Sequence, residues 1–244
     1  MELVLVVAVL FLAASLLYSS VGHGGASAYL AIMALAGLEP AVMRPTALIL
    51  NVVVASLAVV RFGRAGQLPL RTLLPFLAGS VPLAFVGGAI VLPATFYKVL
   101  VGAMLLVGAV QLWRTAARQA DSALAVPRLP AIAIGAAVGL LAGLTGTGGG
   151  IFLTPLLLFL AWSPARTAAG LSAGFILCNS LAGLAGNLAG VGFVPPALAL
   201  WVPVVALGAL AGTELGVRRF SPTALRRALA LVLIVAGLKL IFLG

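Results

Sequence analysis

Two glycine-rich stretches carry the residues whose types and spacing are best suited to binding a ligand. The first, GHGGAS at 22–27, contains the chain's single histidine, and the second, TGTGGG at 145–150, contains two threonines. Glycine has no Cβ, so its backbone can approach a ligand closely, and the unpaired N–H groups at a helix N-terminus attract anions. The residue types therefore predict an anion site formed by Gly22, His23, Gly24, Gly25, Ser27, Thr145, Gly146, Thr147, Gly148, Gly149 and Gly150.

Four further observations concern the histidine, the two asparagines, the glycines and the cysteine. His23 could donate to a bound oxyanion or carry a coupled proton, because imidazole titrates near neutral pH; the alternative is a helix cap or a hydrogen bond between helices. Asn51 and Asn179 lie in the middle of apolar segments and are either substrate contacts or hydrogen bonds between helices. Tight helix packing is the alternative role for the glycines. The single cysteine, Cys178, excludes an internal disulfide, and we predict no metal site and no cofactor.

Composition places these stretches in a membrane. Of the 244 residues, 64% are hydrophobic and 7% are charged, whereas soluble domains are about 25% charged. The net charge of +10 comes from basic residues scattered between apolar runs rather than from a patch, which argues against nucleic acid as a partner. Glu214 is the only acidic residue well inside an apolar run, so the chemistry favours an anion over Na⁺ or a metal ion as the ligand.

Apolar runs and their punctuation predict ten helices. A full span needs about 20 residues, and two of the predicted segments offer only 12. Both short segments follow directly after a glycine cluster. The predicted segments are 3–20, 26–37, 43–61, 70–91, 95–113, 130–145, 151–162, 168–187, 196–217 and 223–242.

The chain also repeats itself. At an offset of 124, the stretch 21–41 aligns with 145–165, which places Gly22 over Gly146 and His23 over Thr147. After a five-residue insertion the offset becomes 129. The repeat predicts two membrane units, 1–113 and 130–244, joined by a cytoplasmic linker at 114–129. Transporters are commonly built from such internal repeats.

Loop charges predict that the two units are inverted. Loop 61–71 carries three arginines and its counterpart 187–195 carries no charge, while turn 92–98 carries one lysine and its counterpart 218–227 carries four arginines. By the positive-inside rule, equivalent loops then lie on opposite faces of the membrane. We assign the arginine-rich loops to the cytoplasm and the N-terminus to the outer face. Arg44, on the predicted outer side, is the one charge that fits the positive-inside rule poorly. It could draw anions to the outer opening of the transport path.

The short segments then predict the fold class. Segments 3–20 and 26–37 enter from outside and return as a hairpin, with the first glycine cluster at its buried tip; 130–162 forms the inverted hairpin. Irregular backbone at membrane depth is tolerated only where it is buried or lines a polar cavity, so the two tips are expected to approach each other. The prediction is an all-α polytopic membrane protein of two inverted repeats, each with a broken-helix hairpin plus three spanning helices.

These motifs carry a family resemblance that covers essentially the whole chain. The turns GHGG and GTGGG, each followed by a short apolar helix and an E-P-A or S-P-A turn, resemble the TauE/SafE family of membrane permeases. The resemblance implies a secondary carrier that exports sulfite or a related sulfur-containing anion such as sulfoacetate or another organosulfonate.

Together these features predict a secondary active transporter in a bacterial-type inner membrane. An inside-negative potential favours export of an anion by about 2.3 kcal/mol per charge per 100 mV. A passive anion channel with the same site is the alternative, and an intramembrane hydrolase pairing Ser19 or Ser20 with His23 is a remote one. The expected partners are the anion, lipid and, where transport is coupled, protons; the protein is a monomer or a homodimer.

Overall fold

The computed structural model describes residues 2–20, 24–115, 125–188, 194–218 and 223–242. They form ten helices, and each predicted segment is one of them. The largest differences at the ends are three residues: α3 begins at Pro40 rather than 43, because proline fits the first turn of a helix. The helices are α1 Glu2–Ser19, α2 Ala26–Leu35, α3 Pro40–Arg64, α4 Leu70–Ala89, α5 Ala94–Thr115, α6 Arg128–Thr145, α7 Gly150–Phe159, α8 Ala165–Gly186, α9 Leu198–Arg218 and α10 Thr223–Phe242.

Helix length separates two classes of element. Within the described residues, seven helices are long and apolar enough to cross a membrane: α1, α3, α4, α5, α6, α8 and α9. The short helices α2 and α7 have 10 residues each, which is about 15 Å at 1.5 Å per residue. The chain is therefore an all-helical membrane protein in which two helices cover only about half of the hydrocarbon core.

The first two helices, α1 and α2, differ in length. Near its start, α1 accepts a hydrogen bond at the Val4 carbonyl from Trp201 Nε1, 3.3 Å away, and near its end Leu16 packs against Gly212. Thus α1 runs beside most of α9. The Tyr18 side chain lies beside Ser27 and that of Tyr29 lies beside Ser15, so α2 runs antiparallel to α1. The hairpin pairs one long helix with one half-length helix.

Glycines allow α4 and α6 to pack backbone to backbone. Gly135, Gly139 and Gly143 of α6 lie against the backbone of Phe76, Ser80 and Ala84 of α4. Small residues at four-residue spacing permit such close approach of helices in membranes. Both sets of numbers rise together, so α4 and α6 run parallel.

The other main helix pairs also join the first half of the chain to the second. As α6 packs on α4, so α1 packs on α9, and both pairs join a helix of the first half to one of the second. Leu48 lies near Gly183 while Asn51 lies near Ser180, so α3 and α8 run in opposite directions. Gly102 lies near Gly237 and Gly108 near Leu233, so α5 and α10 are also antiparallel.

Substituting a glycine at the α4–α6 contact is expected to destabilise the protein. A Cβ on Gly79 would collide with the Ile132 carbonyl oxygen and lie 2.9 Å from Ala136 N, and overpacking of this kind costs about 1–3 kcal/mol. Gly63→Ala is the matched control: it too is helical, but its nearest neighbour is a Leu68 side-chain atom at 4.0 Å. Thermal unfolding in detergent should show Gly79→Ala well below Gly63→Ala, and equal unfolding temperatures would contradict the close contact.

Candidate functional site

Asn51 joins the two glycine turns. It is fully buried in the middle of α3. Its Oδ1 accepts a hydrogen bond from the backbone N–H of Ala26, the first residue of α2, at 3.1 Å. Its Nδ2 donates to the Thr147 carbonyl oxygen at 3.3 Å and lies 3.4 Å from Ser180 Oγ. One amide therefore holds the first turn, the second turn and α8 together.

Both turns close around Asn51 and Ile176. A Cβ on Gly24 would lie 2.5 Å from Asn51 Oδ1 and 2.9 Å from Ile176 Cγ2. A Cβ on Gly148 would lie 2.6 Å from Asn51 Nδ2 and 3.0 Å from the same Ile176 carbon. Only glycine leaves room for this approach. The structure thus brings the predicted turns together, with the two side chains filling the space between them.

The N-cap residues of α2 and α7 have no side chain to cap these helices. Their N-cap residues, Gly25 and Gly149, have φ of +92° and +81°, a left-handed conformation that favours glycine, and neither helix has an acidic residue in its first turn. At the other end of α2, Lys239 Nζ donates to the carbonyl oxygens of Ala34 and Leu35, both at 2.9 Å. The negative end of this short helix therefore has a cation, while at its positive end the partner found among the described residues is the neutral Asn51 amide.

The second turn is tied down by its own threonines and by Tyr97. Thr145 Oγ1 donates to the Leu141 carbonyl oxygen at 2.7 Å and lies 3.0 Å from Thr147 Oγ1. Tyr97 Oη donates to the Thr145 carbonyl oxygen at 2.9 Å. The Thr145 hydroxyl is therefore committed to the turn in this conformation. Sequence reasoning missed Tyr97, which nothing in its local sequence distinguishes from an ordinary aromatic residue at a helix start.

Arg44 is buried rather than displayed at a mouth. Its residue surface is 6% exposed. Nη1 donates to the Ile90 carbonyl oxygen at 2.8 Å, and Nη2 donates to the Gly87 carbonyl oxygen at 2.7 Å and also to that of Gly88. A cation at a helix C-terminus offsets the negative end of the macrodipole. The poorly fitting position of Arg44 in the charge pattern is explained by this contact with the end of α4.

Asn179 differs from Asn51 although both were predicted as one class. It is fully buried on α8, and neither of its polar side-chain atoms has a hydrogen-bond partner in the described part of the chain. It lies one helical turn from Phe175, whose ring would touch a Cβ on Gly149 at 2.8 Å. An unpaired buried amide is costly, so this position is suited to a polar ligand.

The other predicted residues fall into three groups. Gly150 packs against Ile176, and Gly146 ends α6 with φ of +84°, close to Arg44. Ser27 is buried beside Tyr18 of α1. Gly22 and His23 lie outside the described residues, so the histidine stays a prediction from sequence.

Glu214, the acidic residue noted within an apolar run, is paired. Its Oε2 lies 2.7 Å from Arg61 Nη1, and the two side chains are 35% and 42% exposed. The pair connects the last turn of α3 with α9, at the opposite end of α3 from Arg44. The carboxylate is thereby held by a cation, in a partly exposed position.

Comparison with known proteins agrees with this architecture. The family model described as "Sulfite exporter TauE/SafE" matches residues 6–240. The chain is also 38% identical over 239 residues to the "Probable membrane transporter protein y4hK" of Sinorhizobium fredii (strain NBRC 101917 / NGR234), with 96% of this chain and 97% of that protein covered. The sequence resemblance is confirmed: the protein belongs to the TauE/SafE sulfite exporter family of membrane transporters.

Proposed function

We propose that the protein is a secondary active transporter that exports a small sulfur-containing anion, either sulfite or an organosulfonate such as sulfoacetate, across the inner membrane. The anion binds between the two glycine turns. The observation that carries the proposal is that one neutral amide, Asn51, bridges the two glycine turns, accepting from the Ala26 N–H at the start of α2 and donating to the Thr147 carbonyl oxygen. The N-cap residues of both short helices are glycines without a capping side chain. Helix N-termini with free N–H groups are suited to oxyanions.

Asn51 occupies the place of an anion oxygen. Its Oδ1 accepts the Ala26 N–H just as an oxyanion would, and its Nδ2 holds the opposite turn by the Thr147 carbonyl. Separation of the two turns would break the second contact and release the first N–H for the substrate. We therefore infer that Asn51 exchanges with the anion during transport.

The pairing of helices supports alternating access. Equivalent helices of the proposed halves 1–113 and 130–244 run in opposite directions where they touch, as α3 with α8 and α5 with α10 do. An inverted pair of this kind can open to either side around a central site. In this proposal the N-terminus lies outside and linker 114–129 lies in the cytoplasm. The inside-negative membrane potential drives an anion outward.

The acidic residues give little support to a cation substrate. The chain has four of them, Glu214 is held by Arg61, and Glu39 precedes the first turn of α3 on the surface. Sodium and metal sites need several oxygen ligands, commonly carboxylates. The polar side chains that the structure describes at the turns are hydroxyls and an amide rather than carboxylates, and both short helices begin at the turns with their N–H ends, which suit an anion.

Reconstituted flux tests the proposal. Wild-type protein in sulfite-loaded proteoliposomes is expected to give saturable efflux that accelerates with an inside-negative potential and with anion on the opposite side. Sulfoacetate and sulfate are compared as competitors. Flux that neither saturates nor responds to opposite-side anion would favour a channel. Absence of flux with every sulfur anion would overturn the proposal.

His23→Ala separates proton coupling from binding in the same assay. If His23 carries the coupled proton, the variant loses acceleration by a pH gradient but keeps the response to potential, because the backbone site is unchanged. Loss of both responses would assign His23 to the anion itself. An unchanged response to the pH gradient would contradict the proton-carrying role.

A further inference from the structure

A cavity of about 570 Å³ opens beside the second glycine turn. It lies between the start of α3, the start of α5 and the segment that follows α4. Its polar lining is Glu39, Arg44, Tyr97, Lys98 and Asn187, and the rest of its wall is apolar. The volume is within the usual range of small-molecule sites.

Two of these lining residues form the wall between the cavity and the turn. A Cβ on Gly146 would lie 3.1 Å from the Arg44 carbonyl oxygen and 3.3 Å from Arg44 Cγ. Tyr97 Oη is hydrogen-bonded to the Thr145 carbonyl oxygen. A ligand in the cavity is therefore separated from the second turn by the side chains of Arg44 and Tyr97.

The charge of the cavity is positive. Arg44 is 6% exposed, its hydrogen-bond acceptors are uncharged carbonyl oxygens, and its Nε has no partner in the described part of the chain. Lys98, half-buried, is a second cation, and within the described residues the lining has one carboxylate, that of the exposed Glu39. A concave site with an excess of one sign of charge concentrates ions of the opposite sign.

We propose that this cavity is a second, peripheral anion-binding site, a vestibule in which Lys98 binds a small anion next to the second glycine turn and the buried charge of Arg44 adds to the positive potential. The identity of the anion rests on the proposed function, since it is the transported species. Lys98 supplies a mobile ammonium group, and Arg44 supplies a buried charge that its carbonyl partners do not neutralise. Tyr97 stands between this site and the central one.

The local charge can be measured without any transport. In a Cys178→Ala background, which removes the single cysteine, Ala41→Cys places a thiol on the exposed rim of the cavity. Its reaction rates with a negatively and a positively charged methanethiosulfonate are compared. The ratio of the two rates is expected to fall at least about threefold on Lys98→Gln.

Matched variants make the result specific. Arg71→Gln removes one positive charge at the exposed start of α4, far from the Gly87 end that Arg44 contacts, and should leave the ratio unchanged. Lys98→Arg should retain the wild-type ratio. Sulfate, which is inert to the reagents, should slow the anionic reagent in the wild type and do so less in Lys98→Gln.

The outcomes also separate this site from the proposed function. A ratio unaffected by Lys98→Gln, or lowered equally by Arg71→Gln, overturns the vestibule even when the wild type transports anions. A Lys98-dependent ratio that sulfate reduces supports the vestibule, whereas absence of anion flux in the wild type overturns the proposed function alone.

Discussion

Asn51→Asp is expected to lower anion flux at pH 8 about a hundredfold while the protein remains folded. The aspartate has the shape of asparagine and still accepts the Ala26 N–H, but when ionised it places a negative charge where the anion is proposed to bind. Two unit charges about 5 Å apart at an effective dielectric of about 20 repel by about 3 kcal/mol. The helix N-termini on either side stabilise the carboxylate, so substrate binding suffers more than folding.

Acid should partly rescue this variant. Protonation removes the charge and restores a donor toward the Thr147 carbonyl, so flux relative to the wild type is expected to rise as the pH falls. Ser180→Ala is the control, because it removes a partner 3.4 Å from Asn51 Nδ2 without adding charge, and it should cost flux only a few-fold. Near-wild-type flux of Asn51→Asp at pH 8 would place the anion elsewhere.

Gly148→Ala is expected to cause the second large loss, of both stability and flux. Gly148 has φ of +70°, and an added Cβ would lie 2.6 Å from Asn51 Nδ2 and 2.9 Å from Ser180 Oγ. The left-handed backbone alone costs a side-chain-bearing residue about 1–2 kcal/mol, and overpacking adds about 1–3 kcal/mol. The Cβ also pushes Asn51 away from the turn that it holds.

Gly66→Ala isolates the backbone contribution. Gly66 has nearly the same φ, +69°, but nothing lies within 4 Å of its Cβ position. Its unfolding temperature should fall only by the backbone cost, and its flux should be close to wild type. Equal losses of stability and flux in Gly148→Ala and Gly66→Ala would contradict the prediction, because the close packing of the second turn on Asn51 would then contribute nothing to either.

Local patterning was enough to predict the elements of this fold. Apolar runs bounded by glycine and proline located all ten helices, and the two 12-residue segments correctly marked α2 and α7 as too short to span. The internal repeat also pointed to two glycine turns of related structure. Both turns do meet in the folded chain, where each contacts Asn51 of α3 and Ile176 of α8.

Tertiary contacts decided what the sequence could not show. Asn51 and Asn179 look alike in sequence, yet one is fully hydrogen-bonded across both turns and the other has no partner in the described residues. The charge pattern predicts that Arg44 could draw anions to the outer face, whereas its guanidinium group is buried and donates to carbonyl oxygens at the end of α4. Tyr97 contacts a residue 48 positions away. Each of these roles depends on a neighbour distant in the chain.

Helices of the first half of the chain pack against helices of the second half, and this affects how the protein is assembled during synthesis. The first helix, α1, packs against α9, which begins 196 residues later (198 − 2). Synthesis at about 5–20 residues per second leaves α1 without this partner for roughly 10–40 s. During that time lipid must cover the surface that later receives Gly208 and Gly212. The α1–α9 pair therefore forms only after α9 has been synthesised and has entered the bilayer.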